Sequence, residues 1–419
     1  MRTAMTENHK NRIPVDNSSI LFFSLLKKNH ANSYRFTMTL SEDVNPEILQ
    51  MAVDRTYRRF PTIIAGFIPG FFHYFQFPAQ QPPQVQRDPG CLKTMTREEL
   101  HKCAYRVYYK DNTVSIEAFH ALTDGYGAIA SFTTLMAEYL RIRYGITIPA
   151  VETVRDLEDI PSPEEASDDY LVHQEGKPLH LPSRYAYQLP GTPNENWQVL
   201  NTTIEYPVEK ILEASHRWGV SANTLLSGVL ASTVMEIQKK DKTKKLRPVR
   251  IMVPIDLRRF FGSRTLRNFI WYALPTMETH EQDLPMEDLL KSFQNQLKDQ
   301  AQRKRLAAII AYNVRTQLNV FFRFLPRAVK YAVMRLAYRY FGESNSSVTM
   351  TNLGNVKLPD AMAPYVRKLD CILTPRVHSP YGCAIISLGG ILSINISRFC
   401  EESELESIFV SKLDSLLQE

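Results

Sequence analysis

Hydrophobic and polar positions alternate along some stretches of the chain and recur every three or four positions along others. Residues 34–40, 105–109 and 113–119 alternate as half-buried strands do, and the last two predict a hairpin. Apolar positions at helical spacing predict a helix over 128–144, which Gly145 can end in a left-handed conformation. Strands and helices follow one another irregularly, which indicates an α/β protein, α+β in character, with mixed sheets.

A stretch rich in proline and acidic residues divides the chain. Its composition over 161–193 is typical of a linker or crossover. We therefore predict an N-terminal subdomain over 1–160, a linker over 161–193 and a C-terminal subdomain over 194–419. The last part is predicted to contain strands at 198–206, 249–253, 269–277, 347–351, 366–373, 384–387 and 391–396, and helices at 207–218, 221–238, 286–340 (interrupted near Pro326) and 401–417.

The strongest candidate for chemistry is His120, which stands at the C-terminal end of the strand predicted over 113–119. Asp124 follows four residues later, and Gly125 and Gly127 can turn the backbone into the next helix. A neutral imidazole can take up a proton near neutral pH, because its ordinary pKa is about 6.5. This position favours a catalytic base over a structural histidine that only closes the strand.

The amino-acid composition indicates the net charge of the protein and the compartment in which it works. The 419 residues are 44% hydrophobic, and their net charge of +6 favours anionic ligands, an acidic partner or an anionic membrane surface. No zinc-finger, RNA-binding or basic-zipper pattern accompanies that charge, so no nucleic acid partner is expected. Five cysteines, odd in number and without zinc or redox spacing, indicate free thiols in a reducing compartment. Residues 1–17 show no apolar signal segment, and we expect a cytoplasmic protein.

Three short motifs resemble one superfamily of acyltransferases. The sequence His-Ala-Leu-Thr-Asp-Gly at 120–125 is similar to the H-x-x-x-D-G signature of the chloramphenicol-acetyltransferase-like superfamily, which includes condensation domains, wax ester synthases and alcohol acetyltransferases. Pro-Ile-Asp-Leu-Arg at 254–258, with Asn-Phe at 268–269, resembles its second-half motif. Thr-Asn-Leu-Gly at 351–354 resembles its Ser/Thr-Asn element. The resemblance spans nearly the whole chain and is greatest to stand-alone alcohol acetyltransferases.

This resemblance implies two chloramphenicol-acetyltransferase-like subdomains with an active-site tunnel at their interface. His120 would be the general base, while Asp124 would point away from it and pair with Arg258, or failing that with Arg259, as a structural strut. Gly125 would allow the turn and keep the tunnel open. The substrates would be an acyl-CoA, with acetyl-CoA favoured, and an alcohol. No bound cofactor and no metal are expected.

The second half would supply the remaining site residues. Thr351 would donate a hydrogen bond to the oxyanion that forms during acyl transfer. Thr349 would lie on the same side of the strand, which leaves the choice between the two open, and a purely structural strand-end turn is an equal alternative. Asn352 would position substrate, and Tyr381, in a distant counterpart of a plant acyltransferase motif, is a further candidate for substrate binding.

Two other functions remain open from the sequence. The first keeps the fold but uses an amine acceptor or an acyl donor bound to a carrier protein, as condensation-type enzymes do. Phe119 stands where condensation domains have a second histidine, which disfavours amide formation. The second is a non-catalytic relative that binds an acyl compound or a partner protein.

A basic segment over 303–340 interleaves arginine and lysine with aromatic and aliphatic residues and contains no acidic residue. Its plainest interpretation is an amphipathic helix with a solvated basic face. Docking of an acyl carrier protein, contact with a membrane surface, or help with the phosphates of coenzyme A are the alternatives. Elsewhere, the sequence at 388–393 predicts a hairpin turn rather than a phosphopantetheine attachment loop, and His73 and His378 are interpreted as structural.

Overall fold

The computed structural model describes residues 12–26, 32–195, 197–241, 245–376 and 379–418; His378 and most of the N-terminal stretch 1–17 lie outside these ranges. In chain order, the strands β1 to β15 are Ile13–Pro14, Ser33–Leu40, Ala65–Pro69, Tyr74–Pro78, Val85–Arg87, Tyr105–Lys110, Thr113–Phe119, Leu200–Pro207, Val249–Asp256, Ile270–Ala273, Thr276–Met277, Val348–Asn355, Val366–Leu373, Tyr381–Leu388 and Ile391–Arg398. The helices α1 to α13 are Asn17–Ser24, Pro46–Thr56, Arg97–Lys102, Gly125–Tyr144, Asp169–Val172, Val208–Arg217, Ala222–Lys240, Arg258–Phe261, Met286–Gln300, Arg303–Leu318, Val320–Arg323, Arg327–Ala337 and Glu404–Gln418.

The sheet of the first half has five strands in the order β13–β2–β7–β6–β5. Strands β2, β7 and β6 are antiparallel neighbours, and the hairpin β6–β7 predicted from the sequence is present. Strand β13 comes from the far end of the chain and pairs with β2, with Leu373 opposite Tyr34. The second half of the chain therefore completes the sheet that leads to His120.

Helix α4 is the central helix of the first half, because every residue from Gly127 to Leu140 is buried. A helix that is buried on all sides needs little amphipathic pattern, which explains its nearly continuous apolar sequence. Its first turn is capped by Asp124, whose side chain accepts a hydrogen bond from the amide of Tyr126. Gly145 ends the helix with φ +65°, as the sequence predicted.

The second half is built on a seven-stranded mixed sheet in the order β10–β9–β12–β14–β15–β8, with β11 also paired to β9. Strand β12 runs parallel to both of its neighbours, whereas the other pairs are antiparallel. Helices α7, α9 and α13 share one hydrophobic core with this sheet. A separate three-stranded sheet has the order β1–β4–β3.

The predicted fold class is confirmed, because the chain combines helices with parallel and antiparallel strands in several sheets. The hairpin predicted at 388–393 is also present, with Leu388 of β14 opposite Ile391 of β15. The subdomain boundaries at 160 and 193 stay a prediction.

Two predicted elements were wrong in their continuity. The strand predicted over 269–277 is two short strands, β10 and β11, which both pair with β9. Pro275 lies between them and has no amide hydrogen to continue a ladder. The helix predicted over 286–340 consists of four helices, α9 to α12. Besides the expected break at Pro326, Asn319 starts a new helix by accepting hydrogen bonds from the amides of the next turn.

Within the described ranges, no single helix is long and apolar enough to cross a membrane, although α6 and α7 pass that test as a pair bent by 83°.

Candidate active site

His120 lies directly after β7 and is held on both sides by aromatic rings. Its ring stacks on Phe22 with a centroid distance of 4.2 Å and an interplanar angle of 14°. Tyr34 meets the ring edge-on at 4.9 Å. The backbone amide of His120 donates to the carbonyl oxygen of Asn32 at 3.0 Å. These contacts fix the imidazole plane with few rotamers available to it.

Burial lowers the pKa of the His120 imidazole below its ordinary value, while its own backbone carbonyl and Asp124 act weakly in the opposite direction. Burial has this effect because a low-dielectric surrounding disfavours the charged ring. Among the described residues, the buried Nδ1 atom has no hydrogen-bond partner of regular geometry. Burial therefore favours the neutral form of this imidazole.

Asn268 fixes the backbone of His120 from the second half of the chain. Its Nδ2 atom donates to the carbonyl oxygen of His120 at 3.0 Å and lies 3.5 Å from Oδ2 of Asp16. Asp16 is fully buried and caps α1 through the amide of Ser19. The helix that carries Phe22 and the backbone of His120 are thus tied to the same side-chain amide.

Asp124 points into the second half of the chain. Its Oδ2 atom accepts from Nη1 of Arg258 at 2.9 Å and from the backbone amide of Phe269 at 2.8 Å, while Oδ1 caps α4. No hydrogen bond joins its carboxylate to the imidazole of His120 among the contacts of the described residues. The sequence resemblance predicted this pairing with Arg258, whereas Arg259, the fallback partner, is exposed.

Arg258 is buried, and most N–H groups of its guanidinium have a hydrogen-bond acceptor. Besides Asp124, its Nη1 atom lies 3.0 Å from Oδ1 of Asp256, and its Nε donates to the carbonyl of Thr265 at 2.8 Å. Its guanidinium also lies 4.7 Å above the ring of Tyr126. Burial alone would lower the pKa of Arg258, but Asp124 and Asp256 hold that pKa above its ordinary value. The two carboxylates therefore stabilise the charged form of the buried guanidinium.

Both glycines of the motif are sites of close approach. A Cβ atom on Gly125 would lie 2.5 Å from Cδ2 of Leu353, a residue of β12 in the second half. A Cβ atom on Gly127 would lie 2.4 Å from the backbone oxygen of Leu266. The first neighbour is a flexible side chain, but the second is backbone and cannot move aside. Gly127 thus joins Gly125 as a residue that lets the two halves pack.

Thr349, Thr351 and Leu353 occupy alternate positions of β12, so they share one face of the strand up to the irregularity after Asn352. Their partly exposed face is opposite to that of the fully buried Met350. Leu353, at this irregularity, reaches Gly125, which brings the C-terminal end of β12 to the motif at 120–125. The contacts alone do not separate Thr351 from Thr349, and the oxyanion role of either threonine stays a prediction.

Asn352 and Tyr381 have contacts that differ from those of the threonines. The side-chain oxygen of Asn352 accepts from the amide of Gly354 at 2.9 Å, which closes a local turn. Tyr381 is a member of the second hydrophobic core, and its hydroxyl donates to the carbonyl of Glu402 at 2.9 Å. The structure does not bring Tyr381 into contact with the His120 side, so its predicted substrate contact is untested and its observed contacts are those of a core residue.

Sequence reasoning missed three contributors to this site. Phe22 lies in an apolar segment that looked like ordinary core, and nothing in the sequence marks it as the stacking partner of His120. Asp16 could have been found, since an acid just before a helical apolar run is a typical N-cap. Asn268 was recognised as part of a motif but not as the residue that holds the carbonyl of His120. In the part of the chain that the structure describes, no group of three His, Cys, Asp or Glu side chains could hold a metal.

No family model matches the chain, and no curated protein matches its sequence. Solved structures match its fold over nearly its whole length. Polyketide synthase associated protein 5 from Mycobacterium tuberculosis has a TM-score of 0.63 and 15% identity, covering 97% of this chain and 98% of that chain. A wax ester synthase/diacylglycerol acyltransferase from Marinobacter aquaeolei VT8 has a TM-score of 0.57 and 11% identity, and the match covers 96% of this chain and 98% of that chain. The condensation domain from Monacolin K polyketide synthase MokA has a TM-score of 0.60 and 10% identity, and the match covers 97% of this chain and 96% of that chain. The chain therefore has the two-subdomain fold of condensation-domain and acyltransferase structures.

Proposed function

We propose that this chain is an acyltransferase that moves an acyl group from acyl-CoA to an alcohol hydroxyl, with His120 as the general base. The observation that carries the proposal is the position of His120. Its imidazole has a lowered pKa and is held between aromatic rings at the end of a strand, where the two halves of the chain meet. A neutral imidazole in that position can accept the proton of an attacking hydroxyl.

In the proposed reaction, the hydroxyl oxygen attacks the carbonyl carbon of the thioester, and Nε2 of His120 takes the hydroxyl proton. A new carbon–oxygen bond forms, and the thioester carbonyl oxygen becomes an oxyanion. The intermediate then collapses, the carbon–sulfur bond breaks, and the imidazolium returns its proton to the thiolate of coenzyme A. Nε2 is assigned this role because Nδ1 is buried against the protein.

The second half of the chain would complete the site. Thr351 would donate to the oxyanion, with Thr349 and Asn352 near the substrate. The ion pair between Asp124 and Arg258 would hold the turn that presents the base. Acyl-CoA and the alcohol would reach His120 through a tunnel between the two halves, from opposite ends.

An alcohol is favoured over an amine as the acceptor by the environment of Phe119. This residue takes the position of the second histidine of condensation domains, but here it is fully buried among Phe23, 5.2 Å away, and Phe67, 5.9 Å away. The site would thus work with a single histidine. We also propose a cytoplasmic location, in keeping with five cysteines that are all free thiols.

The test is a thiol-release assay with acetyl-CoA and longer acyl-CoAs against panels of alcohols and amines. We expect turnover with alcohols, and a loss of about 10²- to 10⁴-fold in His120→Ala without a change in melting temperature. His73→Ala is the matched control, since His73 is also a partly buried histidine with a lowered pKa but lies away from the motif.

Three outcomes would contradict the proposal. Wild-type rates in His120→Ala would exclude the base. Turnover only with amines, or only with a carrier-bound donor, would place the chain among condensation-type enzymes. Acyl-CoA binding without turnover of any acceptor would indicate a non-catalytic acyl-binding protein.

A further inference from the structure

Helix α12 turns an apolar stripe toward solvent. Val329, Val333 and Leu336 follow one another at spacings of four and three residues, which places them on one face of the helix. Tyr340 lies in the π-helical turn Tyr338–Gly342 that follows. Each of them is about half exposed, between 48% and 57%. The opposite side of the helix packs inward through the buried Tyr331. A surface helix normally shows the reverse arrangement, so this stripe needs a partner to cover it.

A second exposed apolar cluster includes α11, which precedes α12 in the chain. Phe321 is 88% exposed, and Val320 and Phe324 beside it are also exposed. Phe324 contacts Phe72 edge-on at 5.7 Å, and Phe72 contacts Phe71, which is 72% exposed at the tip of the hairpin β3–β4. We call these exposed residues the apolar face: Phe71, Val320, Phe321, Phe324, Val329, Val333, Leu336 and Tyr340.

The apolar face is held in place by specific contacts with the first half of the chain. The buried Lys330 donates through Nζ to the carbonyl of Phe72 at 3.0 Å, and the amide of Arg327 donates to the carbonyl of Phe71 at 2.9 Å. Nε of Arg335 donates to the carbonyl of Ser24 at 2.8 Å. Nζ of Lys330 also donates to the carbonyl of Arg323 at 3.2 Å, so its buried ammonium group is hydrogen-bonded on both the hairpin and α11. These contacts fix the position of α12 against the first half.

The chain segment that carries most of the apolar face has charges of a single sign. From residue 301 to residue 342 the chain contains nine arginines and lysines and no aspartate or glutamate. Arg323 and Arg339 are exposed next to the apolar residues of α11 and α12. A second copy of this face would bring like charges together, and an acidic protein would match the arginines but leave exposed phenylalanines unexplained. An anionic lipid surface accepts both features at once.

We propose that the apolar face docks the protein onto the surface of an anionic lipid bilayer, with the phenylalanines in the headgroup–acyl boundary and the arginines at the lipid phosphates. This contact is interfacial and does not cross the bilayer. It is independent of the chemistry at His120, so it can be tested whether or not the proposed function holds.

The experiment is co-sedimentation of the full chain with vesicles of phosphatidylcholine alone or with one-third phosphatidylglycerol, at low and high salt. We expect binding to the anionic vesicles that weakens at high salt. Val320→Ser with Phe321→Ser should reduce the partition coefficient about 10- to 100-fold, because the apolar area that would enter the lipid is lost. Arg323→Glu with Arg339→Glu should reduce it by about 25-fold or more.

The matched control is Ile160→Ser, since Ile160 is 89% exposed but does not belong to the apolar face. Its binding should equal that of the wild type, and all variants should keep the wild-type melting temperature. No binding to anionic vesicles at low salt would overturn the proposal, as would binding that both double variants leave unchanged. A dimer in solution that Phe321→Ser dissociates, without vesicle binding, would instead identify a second copy as the partner.

Discussion

Asp124→Ala is the most informative single change in this protein, because one carboxylate joins the histidine motif to the second half. The substitution removes the acceptor of Nη1 of Arg258 and of the amide of Phe269, which it binds at 2.9 and 2.8 Å. It also removes the N-cap of α4. Arg258 would remain buried with Asp256 as its only carboxylate partner among the described residues.

The size of the effect follows from the burial of the pair. The side chains of Arg258 and Asp124 are only 5% and 3% exposed, so water cannot replace the lost partner. Removing one member of such a pair costs about 3–5 kcal/mol. With 419 residues at about 2.1 cal/mol/K each, the unfolding entropy is about 0.9 kcal/mol/K if the chain unfolds as one unit. The melting temperature should therefore fall by about 3–6 °C.

The assay combines thermal melting with turnover in the thiol-release reaction. Arg259→Ala is the control, since Arg259 is the exposed neighbour of Arg258. This variant should have the melting temperature of the wild type. Because Asp124 acts by positioning the turn, Asp124→Ala should lower kcat more than it raises KM. In a double-mutant cycle, Arg258→Ala added to Asp124→Ala should cost less than the sum of the single changes.

The reasoning is refuted if Asp124→Ala melts within about 1 °C of the wild type, since a buried guanidinium cannot lose its main partner at no cost. Additive single changes in the cycle would likewise show that the two side chains do not stabilise each other. A variant that melts early but turns over normally would leave the pair structural and remove its role in positioning His120.

Three further predictions concern the same site. The kcat/KM of the wild type should fall as the pH drops through a value below 6.5, the ordinary pKa of histidine. The reason is that burial lowers the pKa of His120 and only the neutral ring can act as a base. A pH profile whose acid limb has its midpoint above pH 6.5 would contradict this prediction. Gly127→Ala should lower the free energy of unfolding, measured in urea, by about 1–3 kcal/mol because the added Cβ meets backbone. Gly125→Ala should lower it by less, because its added Cβ meets a flexible leucine side chain. A larger loss in Gly125→Ala than in Gly127→Ala would contradict this account of the packing. Thr351→Val should lower kcat by about 10²- to 10³-fold with KM nearly unchanged, and Thr349→Val should lower kcat less; equal rates for both variants and the wild type would exclude a threonine oxyanion donor.

Much of the fold could be predicted from hydrophobic periodicity alone. The strand Thr113–Phe119 and the helix after it were predicted to within a few residues, because each has a strong local pattern and a recognisable end. The fold class followed from the irregular order of these elements. The pairing of β13 with β2 was not predictable in this way, since it joins residues more than 300 positions apart and leaves no local signal.

The residues of the candidate site also differ in whether a local sequence pattern marks them. His120 and Asp124 could be identified because they stand close together in one motif, and Arg258 followed from the superfamily resemblance. Phe22 and the role of Asn268 depend on how α1 and the second half pack around the strand end, and single-sequence patterns do not carry that information. For Tyr381, a weak motif likeness suggested a substrate contact; its observed contacts are those of a core residue, and the substrate contact stays a prediction.

The contacts around His120 indicate that its orientation depends on the docking of the two halves. Asn268 and Phe269, adjacent in sequence, bind the carbonyl of His120 and the carboxylate of Asp124, so one short segment of the second half holds both ends of the motif. Leu353 closes the same turn against Gly125 from a different strand. Together with Arg258, which binds the same carboxylate, four residues of the second half thus contact the motif that carries His120 in the first. Any change that loosens these contacts should therefore reduce turnover, because the orientation of the His120 ring depends on contacts that the other half of the chain supplies.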